Sequence, residues 1–362
     1  MRRRGALALL CASWLGVVAF APPTPQLGYD LQSLLFPAAP LPVRPGEQYP
    51  SEPRERVPEP EPAAPSGRHA DAWLNLDASV IADSNVTNGT KLSTIVIELD
   101  GATLPAAVDP RIRAKSGIGE AVSASAGASV PLSGAFNLLV NAEGYAVNYD
   151  GGRSDDASLL GAGGVEYRGA HSRASVQAIG FDRRYGGVSA SRGYGLRGSW
   201  RQDVGASDHV SLYADARRYN SGYGHAFGGW QAGAWLSYDT RLDAATTLAG
   251  GLYARTDRVR DRRFASTEYG AYGSLSHYLT SYLTGGVSAG LGRVAFDDPI
   301  VFLSPAARRD WRGYASLFLT TRRPLLWGLT PSLTYTYNRT DSSTRLFDAE
   351  RHRLRAGLSK SF

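Results

Sequence analysis

The chain has 362 residues, enough for two average domains or one large all-β domain, with 41 glycines, 19 tyrosines and 7 tryptophans against one Met and one Cys. Glycine together with aromatics favours strands, tight turns and interfaces over helices, and a mean hydropathy of -0.24 excludes a helical membrane span in the body of the chain. The net charge of +6 is carried by arginine, since lysine occurs only at Lys91, Lys115 and Lys360; the basic residues alternate singly with acids in no basic block, which excludes nucleic acid as the expected partner.

The first element reads as an export signal over residues 1–21. Arg2, Arg3 and Arg4 precede an apolar stretch too short for a membrane span, and it closes on Ala19-Phe20-Ala21. Pro22 directly after that site disfavours the peptidase, so the cut is expected near, not necessarily at, Ala21. Cys11 follows Leu9 and Leu10 rather than the small residue that a lipid anchor requires. With the signal removed no cysteine remains, which excludes disulfides and thiolate metal sites.

Residues 22–70 are proline-rich ("FPAAPLPVRPGEQYP", "VPEPEPAAPSG"), a composition that blocks helix and sheet and gives an extended periplasmic spacer. Its one apolar cluster, Leu27 to Phe36, is a short contact element at most.

From residue 71 to 362 one pattern persists: runs of alternating apolar and polar residues separated by turn-forming clusters. "HVSLYADARR" sets Val210, Leu212, Ala214 and Ala216 against Ser211, Tyr213, Asp215 and Arg217. "GGWQAGAWLSY" sets Trp230, Ala232, Ala234, Leu236 and Tyr238 against Gln231, Gly233 and Ser237, with Trp235 as the exception. Period two is a strand signal. The apolar faces carry Ala and Gly, with Tyr and Trp near the strand ends, and the opposite faces carry Arg, Asp, Glu and Asn. A soluble sandwich would show a core of large aliphatics instead; this pattern fits a barrel with lipid outside and water inside.

Candidate strands fall near 72–82, 116–130, 134–147, 157–168, 172–184, 191–203, 208–219, 227–240, 244–256, 266–278, 282–296, 310–322, 326–339 and 350–362. That makes about fourteen, an even number as bacterial single-chain barrels require. Tight connections such as 131–134 and 168–172 alternate with longer ones such as 83–115 and 297–309. The expected fold is an all-β, antiparallel outer-membrane barrel with short periplasmic turns and long outer loops. The last strand places Leu354, Ala356, Leu358 and Phe362 on one face, with Gly357 between them. A terminal Phe on such a strand resembles the signal read by the barrel-insertion machinery, and barrel closure against the first strand explains why the chain ends on an aromatic. Lys360 departs from the usual apolar residue but can snorkel to the periplasmic headgroups.

Two stretches carry a family resemblance. "LNLDASVIADSNVTNGT" runs from a first strand into Asp83, Ser84, Asn85 and Asn88, and "FDAERHRLRAGLSKSF" is a last strand containing Arg351 and "LSKSF". Both resemble the C-terminal β-barrel domain of the surface lipoprotein assembly modulator (Slam) family, over about residues 72–362. The resemblance implies an outer-membrane conduit that moves surface lipoproteins, or related haem- and iron-capturing proteins, to the cell exterior. Better-known members carry a helical repeat (TPR) domain before the barrel, and this sequence shows no helical period of that kind. A porin-type channel for small solutes is the alternative.

Other chemistry is discounted. Gly193, Gly195 and Gly198 have dinucleotide-fingerprint spacing but lie inside a strand pattern with no following helix. His171, His209 and His277 fall at periplasmic turns. His225 lies near an outer loop, with Ser221 and Asp215 nearby in sequence, and reads as polar surface rather than catalytic. No two histidines have ligand spacing on one strand face, so neither enzyme activity nor a cofactor is expected. Glu143, Asp215, Arg217, Arg255 and Arg312 are expected to line a mixed-charge lumen. The loop charges at 257–263 and 296–298 are expected to meet solvent, lipopolysaccharide or a client, so the expected partners are outer-membrane lipid, lipopolysaccharide, the insertion machinery and a surface lipoprotein.

Overall fold

The computed structural model describes residues 70–99, 102–150, 154–301, 303–321 and 326–362. The expected signal peptide and proline-rich segment lie outside these residues. The chain begins with β1 (Asp71–Asp83), followed by a small hairpin of β2 (Thr94–Leu99) and β3 (Ala102–Ala107). Then come β4 (Gly117–Ser133), β5 (Phe136–Tyr149), β6 (Asp156–Arg168), β7 (Ser172–Tyr185), β8 (Val188–Asp203) and β9 (Asp208–Asn220). The remainder is β10 (Gly229–Arg241), β11 (Thr246–Val259), β12 (Ser266–Tyr278), β13 (Leu283–Phe296), β14 (Arg309–Thr321), β15 (Thr330–Ser342) and β16 (Ala349–Ser361).

Fourteen of these form a closed antiparallel barrel in which each strand pairs with its neighbours in sequence, β4 follows β1, and β16 returns to β1. The hairpin β2–β3 is a separate two-stranded sheet inside the first outer connection. A strand needs roughly 9–11 residues to cross a bilayer, so strands of 13 to 17 residues reach beyond it. The protein is an outer-membrane β-barrel, and closure leaves no unpaired sheet edge in lipid.

The alternation has the expected sense. Leu212, Leu236, Leu252, Leu291 and Leu317 all face outward and are exposed, while their sequence neighbours turn inward. Trp235 breaks the pattern for a local reason. It points inward and packs against Tyr213, with ring centroids 5.4 Å apart. Gly233 leaves the space for it, since a Cβ there would lie 2.5 Å from the Trp235 ring. The same pairing of a ring with a missing side chain recurs on the inward face of β13, where Phe318 lies over Gly286 and Tyr314 over Gly290.

Element boundaries move most at the penultimate strand, expected over 326–339 and found at Thr330–Ser342. Trp327 and Gly328 adopt positive φ of 64° and 77°, so the chain reverses there, within what reads as an apolar alternation. The connection 83–115, expected as a long outer loop, contains the β2–β3 hairpin and a turn of 3-10 helix at Pro110–Ile112.

Candidate functional site

The two ends of the chain meet at the closure seam. β1 and β16 pair from Asn75 opposite Ser361 to Asp83 opposite Arg353, and beyond the ladder the Phe362 N–H donates to the Leu74 carbonyl at 2.9 Å. Leu354, Ala356 and Leu358 face lipid, whereas Gly357 takes its place on the inward face with Arg351, Arg353 and Arg355. Lys360 lies over the Phe362 ring, its Nζ 4.7 Å from the centroid.

The inward arginines of β16 meet the inward acids of β1. The Asp83 side chain is fully buried. Arg351 Nε donates to both Asp83 oxygens at 2.8 and 2.9 Å, Arg353 Nε donates at 3.2 Å, and the Tyr149 hydroxyl donates at 2.9 Å. Arg355 donates to Ser79 Oγ at 2.8 Å and pairs with Asp77.

The residues after Asp83 extend the seam outward. The Asn85 N–H donates to Asp83 Oδ1 at 2.9 Å, and the buried Asn85 side chain donates to the Gly89 and Glu350 carbonyls at 2.9 and 3.1 Å. Ser84 exchanges bonds with His352: its N–H donates to the His352 carbonyl at 2.9 Å, and its Oγ accepts from the His352 N–H at 2.8 Å. Asn88 has φ of 49°, a left-handed turn that Asn tolerates. Gly89 follows because a Cβ there would lie 2.2 Å from the Ile112 carbonyl oxygen. Asp83, Ser84, Asn85 and Asn88 thus form one turn stapled to the start of β16.

Around the wall, Glu143, Asp215, Arg217, Arg255 and Arg312 all sit on inward-facing strand positions. They do not converge on one point but enter local pairs. Arg197 donates to Gln177 at 2.6 Å and Asn141 at 2.9 Å, with Glu143 3.6 Å away. Arg217 pairs with Asp215, Arg255 lies 3.9 Å from Asp257, and Arg312 lies 3.3 Å from Glu268 and 3.7 Å from Asp310. Asp215 is thereby committed to Arg217, while His225 sits in an outer 3-10 turn.

The outer end carries a feature without a sequence signature. Val108, Ile112, Phe264, Ile300, Leu346 and Phe347 form a buried apolar cluster, joined by Ile95, Phe227, Val259 and Leu303. Apart from Val259, the last residue of β11, these residues come from five outer connections that adjoin around the barrel, those of β9–β10, β11–β12, β13–β14, β15–β16 and β1–β4. Such a cluster gives the loops a core of their own, an outer cap. At its edge the Arg308 guanidinium lies between two rings, 3.7 Å from the Phe296 centroid and 3.8 Å from that of Phe347. Burial pushes its pKa down to about 9 while Asp310, 3.2 Å away, holds it up, so it remains charged at neutral pH.

The sequence model of the surface lipoprotein assembly modifier family matches residues 73–362, from the first barrel strand to the terminal phenylalanine. The chain belongs to the surface lipoprotein assembly modifier family. Both of its motif-bearing ends, read separately in the sequence, lie within the stretch matched by the family and touch at the seam. No curated protein matches the chain. Among solved structures it is similar to the outer membrane channel DcaP of Acinetobacter baumannii, at 8% identity over 83% of this chain and 99% of that one, with a TM-score of 0.45. It is similar also to a Pseudomonas aeruginosa FadL homologue, at 12% identity over 81% and 90% with a TM-score of 0.44. A third is a bacterial polysaccharide outer membrane secretin, at 10% identity over 80% and 98% with a TM-score of 0.44.

Proposed function

We propose that this barrel assists the passage or assembly of a surface lipoprotein across the outer membrane, as a conduit that performs no covalent chemistry and holds no cofactor. Family membership carries the reading. The outer cap is in keeping with it: a lid with its own apolar core fits a conduit that opens for a client better than a permanently open pore. In this reading the inward arginine–carboxylate pairs offer exchangeable partners to a passing polypeptide, the proline-rich segment reaches the client's carrier in the periplasm, and the Phe362 strand is what the insertion machinery recognises. A second reading, a channel for small charged solutes, draws on the same mixed-charge wall.

The two are separated by photo-crosslinking in living cells. A crosslinker at the inward positions Arg217 and Arg255 is expected to yield an adduct with an acylated protein, and one at the lipid-facing position Leu252 is not. Steady single-channel conductance from the purified barrel, with no adduct from the inward positions, would favour the channel.

A further inference from the structure

The lipid-facing surface of the barrel is asymmetric in charge. Every strand arginine that faces outward, from Arg184 on β7 to Arg339 on β15, lies within four residues of its strand's outer end. Among the described residues, the inner half of the same surface carries a single outward cation, Lys360. Solvation of the projecting strand ends would favour charge at both rims equally, so this distribution points to something anionic on the outer side only.

The registers organise these arginines into rows. On β8 to β11, Tyr194 stands opposite Arg218, Arg218 opposite Trp230, and Trp230 opposite Arg258. On β12 to β14, Tyr269 stands opposite Arg293, and Arg293 opposite Trp311. Arg218 and Arg258 therefore bracket one indole at about 10 Å, two interstrand spacings. The rings are open to the surroundings: Tyr194 is 67% exposed and Trp230 49%. Several outer-rim arginines already have carboxylate partners, Arg192 with Asp182, Arg258 with Asp297 and Arg339 with Asp341. Arg218 and Arg293 have no acidic partner among the described residues, and the Arg293 guanidinium rests 5.6 Å from the Trp311 ring centroid.

An unpaired guanidinium beside lipid is costly unless an anion meets it. Arginine's planar fork suits phosphate, and Tyr or Trp beside it suits the junction of a headgroup with acyl chains. We propose that these two rows bind lipopolysaccharide in the outer leaflet, with Arg218 and Arg293 on the phosphates of its lipid anchor and Tyr194, Trp230, Tyr269 and Trp311 against its sugar and upper acyl carbons. The rows fix the depth and tilt of the barrel in the membrane and rank as a lipid site independent of any client.

The test uses the purified full-length barrel in detergent, with binding read by native mass spectrometry and by thermal shift. The probes are bisphosphorylated lipid A, the same lipid enzymatically dephosphorylated, and phosphatidylglycerol. The wild-type barrel is expected to bind bisphosphorylated lipid A at least tenfold more tightly than either of the others. Arg218→Gln with Arg293→Gln, its fold checked by circular dichroism, is expected to lose that preference, and the corresponding lysine pair to keep part of it. Equal affinity of the wild type for phosphorylated and dephosphorylated lipid A overturns the proposal, and so does an unchanged preference in the glutamine pair. Equal affinity for phosphatidylglycerol overturns the assignment to lipopolysaccharide. If the glutamine pair does not fold, the wild-type comparison of the three lipids decides alone.

Discussion

Asp83→Asn removes one charge from the closure seam and leaves the volume nearly unchanged. In the native barrel that carboxylate is fully buried and faces Arg351, Arg353, the Tyr149 hydroxyl and the Asn85 N–H. The substitution leaves two guanidinium groups with no buried counter-charge at the seam. Breaking one partner of a buried ion pair costs about 3–5 kcal/mol, roughly two to four powers of ten in the folding constant. A solvent-exposed pair beside the same seam, Lys91 of the first outer connection with Glu350 of β16, contributes little to stability, so Lys91→Ala is the control. The assay is equilibrium urea unfolding in lipid vesicles, followed by tryptophan fluorescence and by the heat-dependent mobility of the folded barrel. A second arm combines Asp83→Asn with Arg351→Gln. Removing both partners is expected to recover part of the loss, giving a coupling of about 1–3 kcal/mol. If Asp83→Asn costs no more than Lys91→Ala, or if the double variant is simply additive, the seam is not held by this cluster.

The other predictions concern the turn, the cap and the lipid face. Gly89→Ala places a Cβ against the Ile112 carbonyl and is expected to destabilise the barrel by about 1–3 kcal/mol, measured by the same unfolding assay. Phe347→Ala removes a buried ring of the cap and one of the two rings that cover Arg308. It is expected to raise single-channel conductance and sensitivity of cells to bulky antibiotics, and unchanged permeability would argue that the cap does not occlude the conduit. Leu252→Arg, on the outward face near mid-strand, is expected to cost about 2–4 kcal/mol in vesicles; a cost near zero would mean that this face does not meet lipid.

The wall was legible because its physics is local. A two-residue period with lipid on one side constrains every side chain, so Leu212 and Leu236 show their direction in the sequence alone. Even Trp235, which breaks the rule, carries its reason two residues away in Gly233. The seam was half legible. Asp83 and Arg351 stand in motifs that drew notice separately, but their pairing spans 268 positions and only barrel closure brings it about. The cap was not legible. Val108, Phe264, Ile300 and Leu346 sit in loops without period, one or two to each loop, and their common burial arises only when five neighbouring hairpins are set side by side. Arg308 likewise reads as one more loop cation, and only the approach of Phe296 from the end of β13 and of Phe347 from the β15–β16 connection makes it distinctive.

The central claim, that this barrel serves the surface assembly of lipoproteins, is tested most directly by mass spectrometry of peptides released by mild protease shaving of intact cells, comparing wild type, a deletion strain and the complemented strain. The account predicts that one or a few lipoproteins disappear from the shaved fraction of the deletion strain, persist in its total lysate and return on complementation. A surface proteome identical in all three strains, grown where the barrel is expressed, would contradict it.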